Sequence, residues 1–267
     1  MKTPSSLRVG ILATGLIVLA SSVYAQGKVV VSHDEWFTGD NYFYGYSDQT
    51  FIDNTLDWFG STSGKNVLVY SNNGFLDNST LLTYLSGTRG LNVTVNPSEL
   101  ATNFSLYNAI LVGGNSSMDA AGLAAYVYGG GHVFVEGGTD GDPANEAAYN
   151  NAFLTAVGLT FTSPYNGISG GVNTSSFAAQ GPFGAALFTG VNSVYANNGN
   201  SVVLTVSPVS GVTSQVWTDG DNGPGVFGAA EVQVTPEPAT LLLLTTGLGL
   251  TGLGGVIRRR RKNKIEQ

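Results

Sequence analysis

The chain of 267 residues carries eleven Lys and Arg against eighteen Asp and Glu, and it has no cysteine. Without cysteine there are no disulfides, no thiolate metal sites and no Cys nucleophile, so stability must come from an ordinary apolar core. Between the two ends, residues 26–234 hold only Lys28, Lys65 and Arg89 against sixteen acids from Asp34 to Glu231, a net charge near −13. Such a surface repels phosphate backbones, which argues against a nucleic-acid partner and makes a divalent cation a natural counter-charge.

Lys2 and Arg8 precede an apolar run from Val9 to Ala20, and a short polar stretch ends in Val23-Tyr24-Ala25. A charged start, a short apolar segment and small residues at the cleavage positions form a Sec-type signal peptide over residues 1–25. This reading implies the Sec translocon and signal peptidase as partners, with a mature chain starting at Gln26.

Val29 to Val31 reads as a first strand, broken at Ser32-His33-Asp34-Glu35. Phe51, Ile52, Thr55, Leu56 and Phe59 recur at three- and four-residue steps behind the cap candidates Ser47 and Asp48, which predicts a helix. Asn66 to Tyr70 is a buried type of strand, Ser79 to Leu85 a helix stopped by Gly87 and Gly90, and Val93 and Val95 mark another strand. Ala109 to Val112 is a strand ending in Gly113-Gly114, followed by a helix from Met118 to Tyr128. Val133 to Val135, then a helix from about Asn145 to Val157, repeats the pattern. Uninterrupted apolar strands alternating with helices predict an α/β domain over residues 26–162, doubly wound, with a mostly parallel sheet covered by helices on both faces. Beyond it, β-type runs at 202–206, 212–217 and 226–234 lie among Gly, Asn and Ser-rich loops. Residues 163–234 are read as a β-rich extension of the same domain, with a separate small β domain as the alternative.

Residues 239–257 are uncharged and rich in Leu, Gly and Thr, and Arg258, Arg259, Arg260, Arg261, Lys262 and Lys264 follow at once. As a helix this stretch is about 28 Å long, enough to cross a bilayer, and the cations place its far end in the cytoplasm and the domain outside. Pro236-Glu237-Pro238 stands directly ahead of it. The order of Pro-Glu-Pro, apolar span and Arg cluster over residues 235–262, with a tail at 263–267, resembles the PEP-CTERM sorting signal of Gram-negative bacteria. Two prolines hold such a segment extended, in a form a membrane protease can bind. The resemblance implies processing by an exosortase and a place at the cell surface or in an exopolysaccharide or biofilm matrix.

Tyr107-Asn108-Ala109-Ile110-Leu111-Val112-Gly113-Gly114, then Tyr126-Val127-Tyr128-Gly129-Gly130-Gly131-His132-Val133-Phe134-Val135, resembles the class I glutamine-amidotransferase-like superfold, including its trehalose-utilisation-type relatives. The likeness implies architecture only. The turn after Val135 reads Glu136-Gly137-Gly138-Thr139, with no Cys and no Ser in a nucleophile-elbow setting.

In a doubly wound sheet the carboxyl ends of the strands face one crevice. His33, Asp34 and Glu35, then Asn115 and Ser116, then Glu136, Asp140, Asp142 and Glu146 all fall there. Two readings stand: a metal or sugar site, or loop carboxylates that are solvated or cap helices, with Asp142 or Asn145 as the cap of a helix near Ala147. Asp140-Gly141-Asp142 and Asp219-Gly220-Asp221 offer closely spaced oxygens suited to Ca²⁺, and equally to plain turns. Tyr42, Phe43, Tyr44 and Tyr46 crowd a Gly-containing loop after Trp36 and Phe37, where rings can stack on sugars or pack onto the sheet edge. The leading expectation is an exported, noncatalytic α/β protein of the polysaccharide matrix; a secreted hydrolase using the strand-end carboxylates is the alternative.

Overall fold

A computed structural model describes residues 26–71, 74–96, 103–114 and 118–233. The signal segment, Asn115, Ser116, the Pro-Glu-Pro motif, the apolar span and the Arg cluster lie outside the described residues.

Eleven strands and five α-helices are described, β1 (Gln26–Ser32), α1 (Asp48–Trp58), β2 (Asn66–Ser71), α2 (Ser79–Thr83), β3 (Asn92–Val95), β4 (Ala109–Gly113), α3 (Ala120–Tyr128), β5 (His132–Glu136), α4 (Pro143–Leu154), β6 (Leu159–Tyr165), β7 (Ser169–Asn173), α5 (Gly184–Phe188), β8 (Ser193–Asn197), β9 (Asn200–Leu204), β10 (Val212–Thr218) and β11 (Gly225–Gln233). Seven strands form one sheet in the order β10-β11-β1-β5-β4-β2-β3. Its pairs from β1 through β5, β4 and β2 to β3 are parallel, while β11 runs antiparallel to both β1 and β10. The protein is thus a mixed α/β molecule built on a mostly parallel sheet.

Strand alternation divides the core in two. Val30, Phe134, Leu111 and Val69 face α1 and α2, where Phe51, Leu56 and Leu81 cover them. Val29, Val31, Val133, Val135, Ile110 and Leu68 face the opposite way, under Leu123 and Val127 of α3 and Phe153 and Leu154 of α4. Both faces of the central strands are buried, which is why β1, β2, β4 and β5 read as unbroken apolar runs rather than alternating ones.

The expected helices shift at their ends for identifiable reasons. The helix expected from Asn145 begins at Pro143, because the Asp142 carboxylate accepts from the amides of Ala144 and Asn145 and Pro143 takes a first-turn position that lacks an N–H to satisfy. It stops at Leu154 and tightens into a 3₁₀ turn that ends on Gly158 at φ 75°, a left-handed position. The helix expected from Met118 begins at Ala120, capped by Asp119, whose carboxylate accepts from the Gly122 amide. After α2 the chain continues as a π-helical turn, Tyr84–Thr88.

Past residue 162 the chain returns to the same sheet. β11 pairs with β1 from Gln26↔Gln233 to Ser32↔Phe227, so a strand late in sequence lies beside the first one. Two shorter antiparallel ladders, β6 with β9 and β7 with β8, complete the extension. Helix α1 is stitched to this part. Its Asn54 side chain donates to the carbonyls of Leu187 and Thr189, and the Ser193 carbonyl accepts from the Ser47 amide.

Candidate functional site

The last register of the parallel strands sets Ser32, Glu136, Gly113 and Ser71 side by side. By alternation these four positions share the face that carries Val30, Phe134, Leu111 and Val69. Glu136 is fully buried there, its carboxylate directed toward Gly113, beside Leu76. Neither of its oxygens receives a hydrogen bond of normal geometry among the described residues. Burial holds the carboxyl well above the usual range; the Thr38 hydroxyl offsets this only partly, and the nearby Glu35 and Asp34 charges add to it. Glu136 is thus a buried acid whose charged form is strongly disfavoured.

Asp34 has a different role. One oxygen accepts from the Trp36 amide at 2.8 Å and the other from the Asn197 amide of β8. The carboxylate therefore clamps the turn after β1 to β8. Burial raises its pKa to about 6 against these backbone donors. Glu35 is also buried, and its carbonyl accepts from the Thr38 hydroxyl at 2.8 Å.

His33 is buried, and its Nδ1 meets the Asn166 side-chain amide at 2.9 Å. Burial pushes its pKa down to about 3, so it is neutral and accepts this bond. The contact that orients a catalytic His in a Ser-His-Asp array is a carboxylate; here an amide holds that position. His132, the second histidine, begins β5 and stacks its ring on Phe59 with centroids 5.3 Å apart.

The remaining strand-end acids are used within the turn after β5. Asp140 accepts from the Asp142 amide at 3.2 Å and from the Asn145 side chain at 3.0 Å, and Asp142 caps α4. Glu146 accepts from the Thr139 amide and hydroxyl at 2.9 and 2.8 Å and from the Tyr165 hydroxyl at 3.0 Å. Asp219-Gly220-Asp221 is the turn between β10 and β11: Gly220 has φ 76°, the Thr218 hydroxyl donates to the Gly220 carbonyl at 2.6 Å, and the Asp219 amide donates to the Pro224 carbonyl. Among the described residues no group of three or more His, Asp or Glu side chains gathers in a metal-binding arrangement.

The crevice acids thus fall into two groups. Asp34 and Glu35 follow β1 and Glu136 ends the neighbouring β5, while Asp140, Asp142 and Glu146 organise the start of α4. Three cavities of about 570, 520 and 520 Å³ lie elsewhere: one between Tyr107 and Tyr126, one beside Val202 and Val216, and one beside Phe177, Asp219 and Asp221.

Two buried residues carry more of the site than their sequence context announces. Asp48, the first residue of α1, accepts from the Tyr195 amide at 3.0 Å through Oδ1, while its buried Oδ2 has no partner among the described residues. Burial raises its pKa to about 8. Asn200, fully buried, accepts from the Gly138 amide and donates to the carbonyls of Pro143 and Thr162, tying three loops together. Asp48 was legible only as a cap candidate; Asn200 carried no sequence signal, because its partners lie 38 to 62 positions away.

No protein-family model, curated protein or solved structure matches this chain.

Proposed function

We propose that the protein is exported across the inner membrane, sorted by its C-terminal Pro-Glu-Pro, apolar span and Arg cluster, and acts at the cell surface or in the polysaccharide matrix through a noncatalytic α/β domain. The order of those three C-terminal elements, ending in Arg258, Arg259, Arg260 and Arg261, carries the reading. Each suits one step: an extended motif for a protease of the exosortase type, a span of about bilayer length, and a cytoplasmic stop.

The noncatalytic part is supported by what the strand-end acids do. General acid–base chemistry needs titratable groups within reach of a substrate. Asp34 is engaged by two backbone amides, Asp142 by a helix terminus and Glu146 by Thr139 and Tyr165. Glu136 is fully buried, with its charged form strongly disfavoured.

The test is fractionation of the native host expressing the chain with Pro236→Ala and Pro238→Ala together. Wild type at the surface or in the medium, with the double variant held in the inner membrane, supports the reading. Identical distribution of the two contradicts it.

A further inference from the structure

Five aromatic rings touch in sequence along one surface, from Phe75 to Trp36, Tyr42, Tyr195 and Tyr46. Their centroids are 5.1, 5.8, 3.8 and 5.5 Å apart. They come from four segments: the turn after β2, the helical turn after β1, the loop ahead of α1, and β8. Trp36, Tyr42 and Tyr46 stand close in sequence, and the fold adds Phe75 and Tyr195. Asp34 helps to join the parts, because its two oxygens hold the Trp36 amide and the Asn197 amide, fixing the turn after β1 against β8.

None of the five belongs to the buried core; four are half-buried and Tyr46 is 42% exposed. Tyr42 and Tyr195 lie face to face, 8° from parallel. Rings gathered in such number at a partly exposed surface are uncommon where nothing binds.

Charge selects the ligand. The described region has three cations, all away from the strip: Arg89 pairs with Asp53 and Asp57, Lys28 donates to the Trp58 carbonyl at 2.7 Å, and Lys65 precedes β2, at the opposite end of that strand from Phe75. The loop that carries Tyr42 and Tyr46 has Asp40 and Asn41 exposed on it. An anionic ligand would meet acids with no cation to answer it. A neutral, polyhydroxylated ligand meets what is present: electron-rich ring faces for its C–H-rich face, and phenol, carboxylate and amide groups for its hydroxyls.

We propose that the strip formed by Phe75, Trp36, Tyr42, Tyr195 and Tyr46 is a binding platform for a neutral polysaccharide. Its run of successive rings suits a chain of sugars rather than a single one. The proposal rests on the extracellular reading above for its setting.

The full chain, solubilised in mild detergent, is run on native gels cast with a neutral glucan, with dextran or with anionic alginate. Retardation by a neutral polymer and not by alginate is expected. Tyr46→Ala and Tyr195→Ala weaken it by about three- to tenfold each, as the loss of one ring contact implies. Tyr44→Ala is the control: Tyr44 is 62% exposed in the same loop but packs on Phe43 and Tyr84, outside the strip, and its variant is retarded like wild type. Melting temperatures verify that each variant is folded. No retardation in any neutral gel, retardation by alginate alone, or equal losses for Tyr44→Ala and Tyr46→Ala would overturn the proposal. A chain retarded by neutral glycan yet never leaving the inner membrane contradicts the sorting reading alone; an exported chain that is not retarded contradicts the strip alone.

Discussion

Replacing Asp48 by Asn tests how burial governs the stability of this fold. Asp48 is fully buried at the start of α1, with one oxygen on the Tyr195 amide and the other without a partner, and its pKa rises from 3.8 to about 8. A carboxyl with a folded pKa above its unfolded value stabilises fully below the unfolded value, and that contribution is lost as pH rises toward the folded one. Between about pH 4 and pH 8 this group alone costs about 1.4 kcal/mol per pH unit, or about 4 kcal/mol by pH 7. Asn keeps the acceptor for Tyr195 and does not ionise, although its NH₂ falls where Oδ2 had no partner, a loss of about 1–3 kcal/mol. The net expectation is a gain of about 1–3 kcal/mol at pH 7, a melting temperature higher by roughly 2–10 °C, and no gain at pH 4. Urea unfolding followed by tryptophan fluorescence at pH 4, 6 and 8 measures it. Asp34, Glu136 and Glu146 are shifted the same way and slope both proteins alike, so the difference between the curves isolates Asp48. Parallel curves for the two proteins across this range would refute the reasoning.

Other substitutions probe the packing. A Cβ on Gly199 would sit 1.6 Å from the His33 carbonyl oxygen, so Gly199→Ala must push the turn between β8 and β9 off the end of β1; a loss of about 1–3 kcal/mol is expected in the same unfolding assay. Phe51→Ala empties a site where the ring meets Phe37, Phe188 and Phe227 at 4.8 to 5.8 Å, and should cost about 3–5 kcal/mol. Asp142→Ala removes the cap of α4 and should cost about 1 kcal/mol, whereas Asp142→Asn should be nearly neutral. If the carboxylates at the strand ends are structural, Glu136→Gln should raise stability at pH 8 and Asp34→Ala should lower it, with hydrolysis of carbohydrate or peptide substrates undetectable in all three proteins; turnover by wild type lost in both variants would favour the hydrolase reading.

The parallel sheet was legible because its strands are buried on both faces, so Val29 to Val31, Ala109 to Val112 and Val133 to Val135 stand out as apolar runs between glycine turns. Harder to read were β6, β7 and β8, which hold Pro, Gly and Asn among few apolar residues; Val194 and Ala196 do alternate with half-buried neighbours, but over too few residues to separate a strand from a loop. That β11 lies beside β1 was hidden, since pairing between strands some two hundred residues apart leaves no local trace. Asp34, Glu35 and Glu136 lie at or just past the carboxyl ends of β1 and β5, and what they do there depends on partners far along the chain. Asp34 needs Asn197, 163 positions away, to become a clamp, and Asp48 needs Tyr195, 147 positions away, to become buried. Asp142 was readable as a cap because that chemistry is local: its partners are the next two amides beyond Pro143.

The intact mass of the protein recovered from outside cells of its native host bears most directly on the account. A chain that begins at Gln26 and ends close to Pro236-Glu237-Pro238, without the apolar span and Arg258 to Arg261, is the expected result. A full-length C-terminus on protein found only in the inner membrane would contradict sorting and leave a single-span membrane protein with an external α/β domain.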